Sequence, residues 1–219
     1  MDKLLADQLV EGARRVGVVL GEKAVVALGV YLDELGRWRR SLNLTAIEVP
    51  AEIVEKHFVD SLAVVPWVEG PLLDIGTGAG FPGMVVKIAR PEIEVELVDS
   101  VAKKISFLKA LMARLDTSGA TAKAARAEGR PDREGIATAQ TVVSRAVEEP
   151  AAWLQRAAAY VGASGRVLAM VGHAPSDADL RRFAEAAGLA LRHVEHYRLW
   201  PSGAERAIVV CQRGPNRAT

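Results

Sequence analysis

From Pro66 onward the chain switches back and forth between short apolar runs and amphipathic stretches, and this alternation constrains the fold more than any other feature. The apolar runs are "PLLDI", "IEVELVD", "ATAKAA", "TVVSRAV", "RVLAMVG", "ALRHVEHYRL" and "RAIVVCQ". Between them lie helix candidates at Pro82 to Ala89, Val101 to Leu115, Glu149 to Tyr160 and Ser176 to Ala187. Strand and helix in alternation imply an α/β fold with a doubly wound, mostly parallel sheet, here of seven strands. The last two strands follow each other through a turn at "WPSGAE". Upstream the texture differs: Leu4, Leu5, Leu9 and Val10 recur at helical spacing, then Val25, Val26, Val30, Leu32 and Leu35, then Ile53, Val54, Phe58 and Leu62, with no strand signal between them. The expectation is a helical N-terminal extension over residues 1–65 and a ligand-binding domain over 66–213.

The first strong strand-to-helix junction reads "LLDIGTGAGFPG", Leu72 to Gly83. In a doubly wound sheet ligands bind beyond the carboxyl ends of the strands, and the first such turn is the usual place. Glycine allows positive φ and removes the Cβ that would keep a ligand away, while Pro82 suits the first turn of the following helix. Gly78, Gly80 and Gly83 spell the dinucleotide fingerprint G-x-G-x-x-G, and Asp99 closes the next strand where an acid would hold a ribose. Asp74 and the extra Gly76 favour a different ligand. A carboxylate at the end of the first strand repels a pyrophosphate but suits a molecule that carries an ammonium and a sulfonium and no phosphate, such as S-adenosylmethionine. A tight turn that binds nothing is the third reading.

At 219 residues and 23.4 kDa, half hydrophobic and a quarter charged, the chain fits one globular domain plus the extension. Its one cysteine, Cys211, offers no disulfide framework, so a reduced, cytoplasmic setting is the default, and Cys211 reads as core within "AIVVCQ". Met1 to Leu20 lacks the apolar centre of a signal peptide, and no uncharged apolar run approaches the roughly 18 residues that span a bilayer. The net charge of +1 is no general field for nucleic acid, but it divides unevenly: 8 basic against 11 acidic residues up to Gly70 (net −3), and 20 against 16 beyond it (net +4). RNA contacts would need local patches. Arg37, Arg39 and Arg40 in "RWRRSLN" form one candidate, with a solvated helix end as the alternative. Lys103 and Lys104 form another, since cations opening a helix are disfavoured unless they serve a ligand or a phosphate. His193 and His196 lie three apart on a strand, on opposite faces, so no metal site is expected.

Six segments in order, "NLTAI" (43–47), "KHFVDSL" (56–62), "LLDIGTGAGFPG", "LVDSVAKKISFLK" (97–109), "ARAE" (125–128) and "VVSRAV" (142–147), resemble the small-subunit ribosomal RNA methyltransferase G family, formerly called glucose-inhibited division protein B. The resemblance runs from about Trp38 to Val147 and fades beyond. It implies a class I methyltransferase that uses S-adenosylmethionine to methylate N7 of one guanosine in the decoding region of 16S rRNA; the expected partner is the rRNA or the small ribosomal subunit, and the oligomeric state is not read from the sequence, a monomer being the default. It places cofactor contacts on Gly76, Phe81, Ala127, Glu128 and Arg145, the last near the methionine end. The physical argument above adds Asp74, Gly78, Gly80 and Asp99. His57 and Asp60 are either over the cofactor mouth or packed and hydrogen-bonded. The chain departs from the family at Val171, where Lys precedes the glycine, and at Ala207, where His follows the arginine, although Arg206 itself is retained as an RNA contact. A changed substrate, a non-catalytic RNA-binding role and a nicotinamide-dependent oxidoreductase remain the alternatives, the last lacking a Tyr-Lys or His constellation around Tyr160 or Tyr197.

Overall fold

The computed structural model describes residues 1–38, 44–145 and 149–214. Helix α1 (Lys3–Arg15) starts on an Asp2 side chain that accepts from the Leu5 amide at 2.9 Å, which satisfies one of the amides a helix start leaves without a partner. Helix α2 (Glu22–Trp38) buries Leu28, Tyr31, Leu32 and Leu35 along one stripe. The third helical stretch is continuous but irregular: α3 (Pro50–Ile53) passes into one widened turn (Val54–Val59) and on into α4 (Asp60–Leu62). In that turn the Asp60 amide reaches back five residues, to the Glu55 carbonyl, so the winding holds one residue more than an α-helix would.

The sheet comprises β1 (Leu72–Ile75), β2 (Val95–Asp99), β3 (Ala120–Ala124), β4 (Ala139–Arg145), β5 (Val161–Val171), β6 (Leu189–Arg198) and β7 (Glu205–Arg213). Its order is β3-β2-β1-β4-β5-β7-β6, with β7 alone antiparallel to its neighbours. Helices α5 (Gly83–Ala89), α6 (Ala102–Leu115), α7 (Pro131–Glu134), α8 (Pro150–Ala157) and α9 (Asp177–Ala186) fill the connections. The alternation in the sequence thus maps onto the fold, including the closing hairpin. The short α7 was not anticipated; four residues carry too little periodicity to read.

Strand order reverses between β1 and β4, so their carboxyl ends flank the crevice where such sheets bind ligands. Each face of the sheet has its own core. On one face Met84 and Val85 of α5 and Phe107 and Leu108 of α6 pack with Leu9, Leu28, Tyr31 and Phe58 of the N-terminal helices. On the other, Trp153 and Leu154 of α8 pack with Leu180 and Ala184 of α9. Residues 1–65 therefore complete one layer of the sheet rather than standing apart from it.

Candidate active site at the carboxyl edge of the sheet

The glycine turn leaves β1 with Gly76, Gly78 and Gly80 at φ of 73°, 61° and 100°, the left-handed region that a side chain would strain. The three residues of the G-x-G-x-x-G spacing do different jobs. A Cβ on Gly80 would lie 2.5 Å from the Tyr31 hydroxyl, and one on Gly83 would lie 2.5 Å from Leu97 and 2.8 Å from the Asp74 carboxylate. These two are glycine because the protein packs against itself there. A Cβ on Gly78 meets no atom nearer than the Gly76 carbonyl at 4.0 Å. Gly78 is the glycine that opens towards a ligand.

Two carboxylates build this turn. Asp74 is fully buried, and its Oδ2 accepts from the Thr77 hydroxyl at 2.6 Å and the Gly83 amide at 2.8 Å. Burial pushes its carboxyl up to about 6, against the lowering effect of those two donors. Its Oδ1 is buried without a partner. Asp99, at the end of β2, accepts from the Gly78 amide and from the Val101 amide, each at 2.9 Å, and lies 3.5 Å from Lys104 Nζ. An orphaned acceptor and two carboxylates at an open glycine suit a ligand that brings an ammonium and hydroxyls; they do not suit a pyrophosphate.

Phe81 connects this turn to the end of β4. Its ring stacks on Tyr31 at 5.3 Å and on His57 at 4.7 Å, and the Arg145 guanidinium carbon stands 5.1 Å from its centroid. The Tyr31 hydroxyl donates to the Ala79 carbonyl, so α2 grips the turn from behind. Arg145 emerges at the carboxyl end of β4 as its position predicts. Its partners among the described residues are set by the fold: Nη1 donates to the Lys56 carbonyl at 3.0 Å and to Asp60 Oδ2 at 3.2 Å, and Nη2 meets His57 Nδ1 at 3.1 Å. A guanidinium only donates, so Nδ1 accepts and the ring proton sits on Nε2, which donates to Thr45 Oγ1 at 2.7 Å. Burial, reinforced by the Arg145 charge, lowers His57 to about 3 and keeps it neutral.

Beyond Phe81 a cavity of about 390 Å³ is lined by Ile47, Lys56, His57, Asp60, Arg145, Met170, Val171, Gly172, Tyr197 and Arg206. Tyr197 of β6 donates to Asp60 Oδ1 at 2.8 Å, and Arg206 of β7 brings its Nε within 3.7 Å of the same oxygen. Tyr31, Thr45, Lys56 and Tyr197 were not singled out as site residues in the sequence; the hydrogen-bond pairs that bring them here span 12 to 137 positions, which leaves no local signal.

The remaining positions are dispersed. The Glu128 amide donates to the Glu134 carboxylate at 2.9 Å, within a loop that the Tyr160 hydroxyl also ties by accepting from the Gly129 amide at 2.8 Å. Ala127 is half-buried in that loop. Arg37 is paired with Glu34 at 2.8 Å, and Lys103 is exposed in the first turn of α6. Arg39 and Arg40 lie outside the described residues. Tyr160 and Tyr197 both donate to carboxylates, and among the described residues no cluster could hold a metal.

The same architecture recurs in solved methyltransferases. Magnesium protoporphyrin IX methyltransferase from Synechocystis shares it with a TM-score of 0.57 at 14% identity over 89% of this chain and 100% of that one. A SAM-dependent methyltransferase from Aquifex aeolicus does so with a TM-score of 0.57 at 13% identity over 78% and 97%. At such identities they establish the fold alone, an α/β methyltransferase fold. The family follows from sequence. A model described as rRNA small subunit methyltransferase G matches residues 25–198. The Ribosomal RNA small subunit methyltransferase G of Myxococcus xanthus is 46% identical over 93% of this chain and 95% of its own length, and that of Anaeromyxobacter dehalogenans (strain 2CP-1) is 42% identical over 97% and 100%. The chain belongs to the rRNA small subunit methyltransferase G family.

Proposed function

We propose that this protein transfers a methyl group from S-adenosylmethionine to N7 of a guanosine in 16S rRNA. The observation that carries the reading is the continuity from the open turn at Gly78, through the Phe81 ring, to His57 and Arg145, which line a roomy cavity with Arg206. The cofactor supplies, when bound, an electrophilic methyl on a sulfonium. Gly78 leaves its path open, the free Oδ1 of Asp74 offers an acceptor to its ammonium, and Asp99 offers its carboxylate to the ribose hydroxyls. Ala127 and Glu128 border the adenine through backbone groups, with the Glu128 amide already committed to Glu134. Arg145 keeps its fork beside Phe81 and orients the reacting groups.

The cavity accommodates the guanine. N7 carries an in-plane lone pair and no proton, so alignment suffices and no general base is required. The neutral, fully engaged His57 accords with that: its Nδ1 is held by Arg145 and has no role in moving a proton. The partner is 16S rRNA or the small ribosomal subunit, the setting is the cytoplasm, and the acting form is a monomer. No helix among the described residues is long and apolar enough to cross a membrane.

The decisive experiment maps N7-methylguanosine in 16S rRNA from cells with and without the gene. Loss of one methylated position in the deletion, restored by the wild-type gene, is the expected result; identical maps sink the proposal. Calorimetry should in parallel show binding of S-adenosylmethionine or its demethylated product and none of NAD.

A further inference from the structure

The cavity wall has an excess of positive charge. Arg145 and Arg206 border it together with Lys56, whose charge is met by Glu52 at 2.7 Å, and among the described lining residues Asp60 is the one acid. Its side chain is 7% exposed, accepts hydrogen bonds from Arg145 of β4 and Tyr197 of β6, and lies 3.7 Å from Arg206 of β7. A pair built only to fasten β4 to the helix that carries Asp60 would need one arginine. Here a single carboxylate faces two guanidiniums, and all three line the cavity.

The chemistry makes this imbalance consequential. N7 donates its lone pair to the methyl carbon while the S–C pair stays on sulfur, and no proton leaves. The guanine therefore gains the positive charge that the sulfonium gives up, in a cavity already lined with cations. We propose that Asp60 is the counter-charge for this step: it offsets Arg145 and Arg206 while the base is neutral, and it attracts the base as it becomes cationic. This inference rests on the cavity receiving the target guanine. Electrostatic stabilisation of charge that appears only as the reaction proceeds is the kind that accelerates it.

The test needs no cofactor and no turnover. Affinities of the full-length protein for guanosine 5′-monophosphate and N7-methylguanosine 5′-monophosphate are measured by calorimetry at mildly acid pH, where the methylated base is a cation; the phosphate contribution cancels in their ratio. Asp60→Asn should shift that ratio against the methylated nucleotide by about tenfold, a modest fraction of a close charge pair at partial screening. Arg206→Gln should shift it the other way, and it decides the matter if the Asn variant does not fold. A merely structural Asp60 would lower both affinities together. Unchanged ratios in the folded variants, or no binding of either nucleotide by the parent protein, overturn the counter-charge. Failure of the underlying function is read separately, in the rRNA map: a methylated position that depends on the gene, alongside unchanged ratios, rejects only the role of Asp60.

Discussion

Arg145 is the residue on which positioning turns. Its fork holds three fixed directions at once, to the Lys56 carbonyl, Asp60 and His57, and a lysine ammonium cannot reproduce them. Arg145→Lys should lower methyl transfer about tenfold or more, roughly 1.4 kcal/mol of barrier, with the melting temperature little changed. Normal activity in the Lys variant, or simple unfolding, would make the arginine scaffold. Asp74 yields a pH prediction. Its folded-state value of about 6 lies above its ordinary 3.8, so charging it costs more in the folded protein, and stability falls as pH rises through that window. In the absence of cofactor, Asp74→Asn should gain in Tm relative to the parent as pH climbs from about 4 to about 6. A constant difference across that range would show that burial does not govern this carboxylate. That Arg145 would stand at the ligand edge was legible from "TVVSR" alone. Its partners were not, because Asp60 lies 85 positions away.

The glycine turn and the helix over residues 50–62 show what can be read of an element. The turn was visible from its composition, but not which glycine faces outward, since that depends on Tyr31, Leu97 and Leu108 arriving from elsewhere. Gly80→Ala and Gly83→Ala should each lower Tm by several degrees, because Cβ contacts this short force neighbours to move. Gly78→Val should instead abolish cofactor binding, measured by calorimetry, and its own cost to stability should be confined to a strained φ. Equal Tm losses at all three positions would contradict this division. The helix was legible as amphipathic. Its widened turn was not, for one extra residue hardly disturbs a pattern of Ile53, Val54, Phe58 and Leu62.

Across the whole molecule, the division of charge at Gly70 leaves the sheet-bearing part positive. If RNA docks at the carboxyl edge, substitutions of Lys103 and Arg206 to Gln should each reduce the slope of log affinity against log salt by about 1. Arg37→Gln should change it less, since Glu34 already occupies that arginine. Equal effects at all three would return the contacts to a diffuse surface. The N-terminal helices also share a core with α5 and α6, so a chain beginning at residue 66 should lack cooperative thermal unfolding by circular dichroism. The widened turn governs how that N-terminal layer can vary. Each residue of a helix advances its face by about 100°, so a deletion between Val54 and Val59 would restore regular winding by turning everything upstream through that angle. Glu55, whose carboxylate accepts from the Ser202 amide at 3.0 Å, and His57, which meets Thr45, could then no longer be satisfied together. This segment can change its letters but not its length.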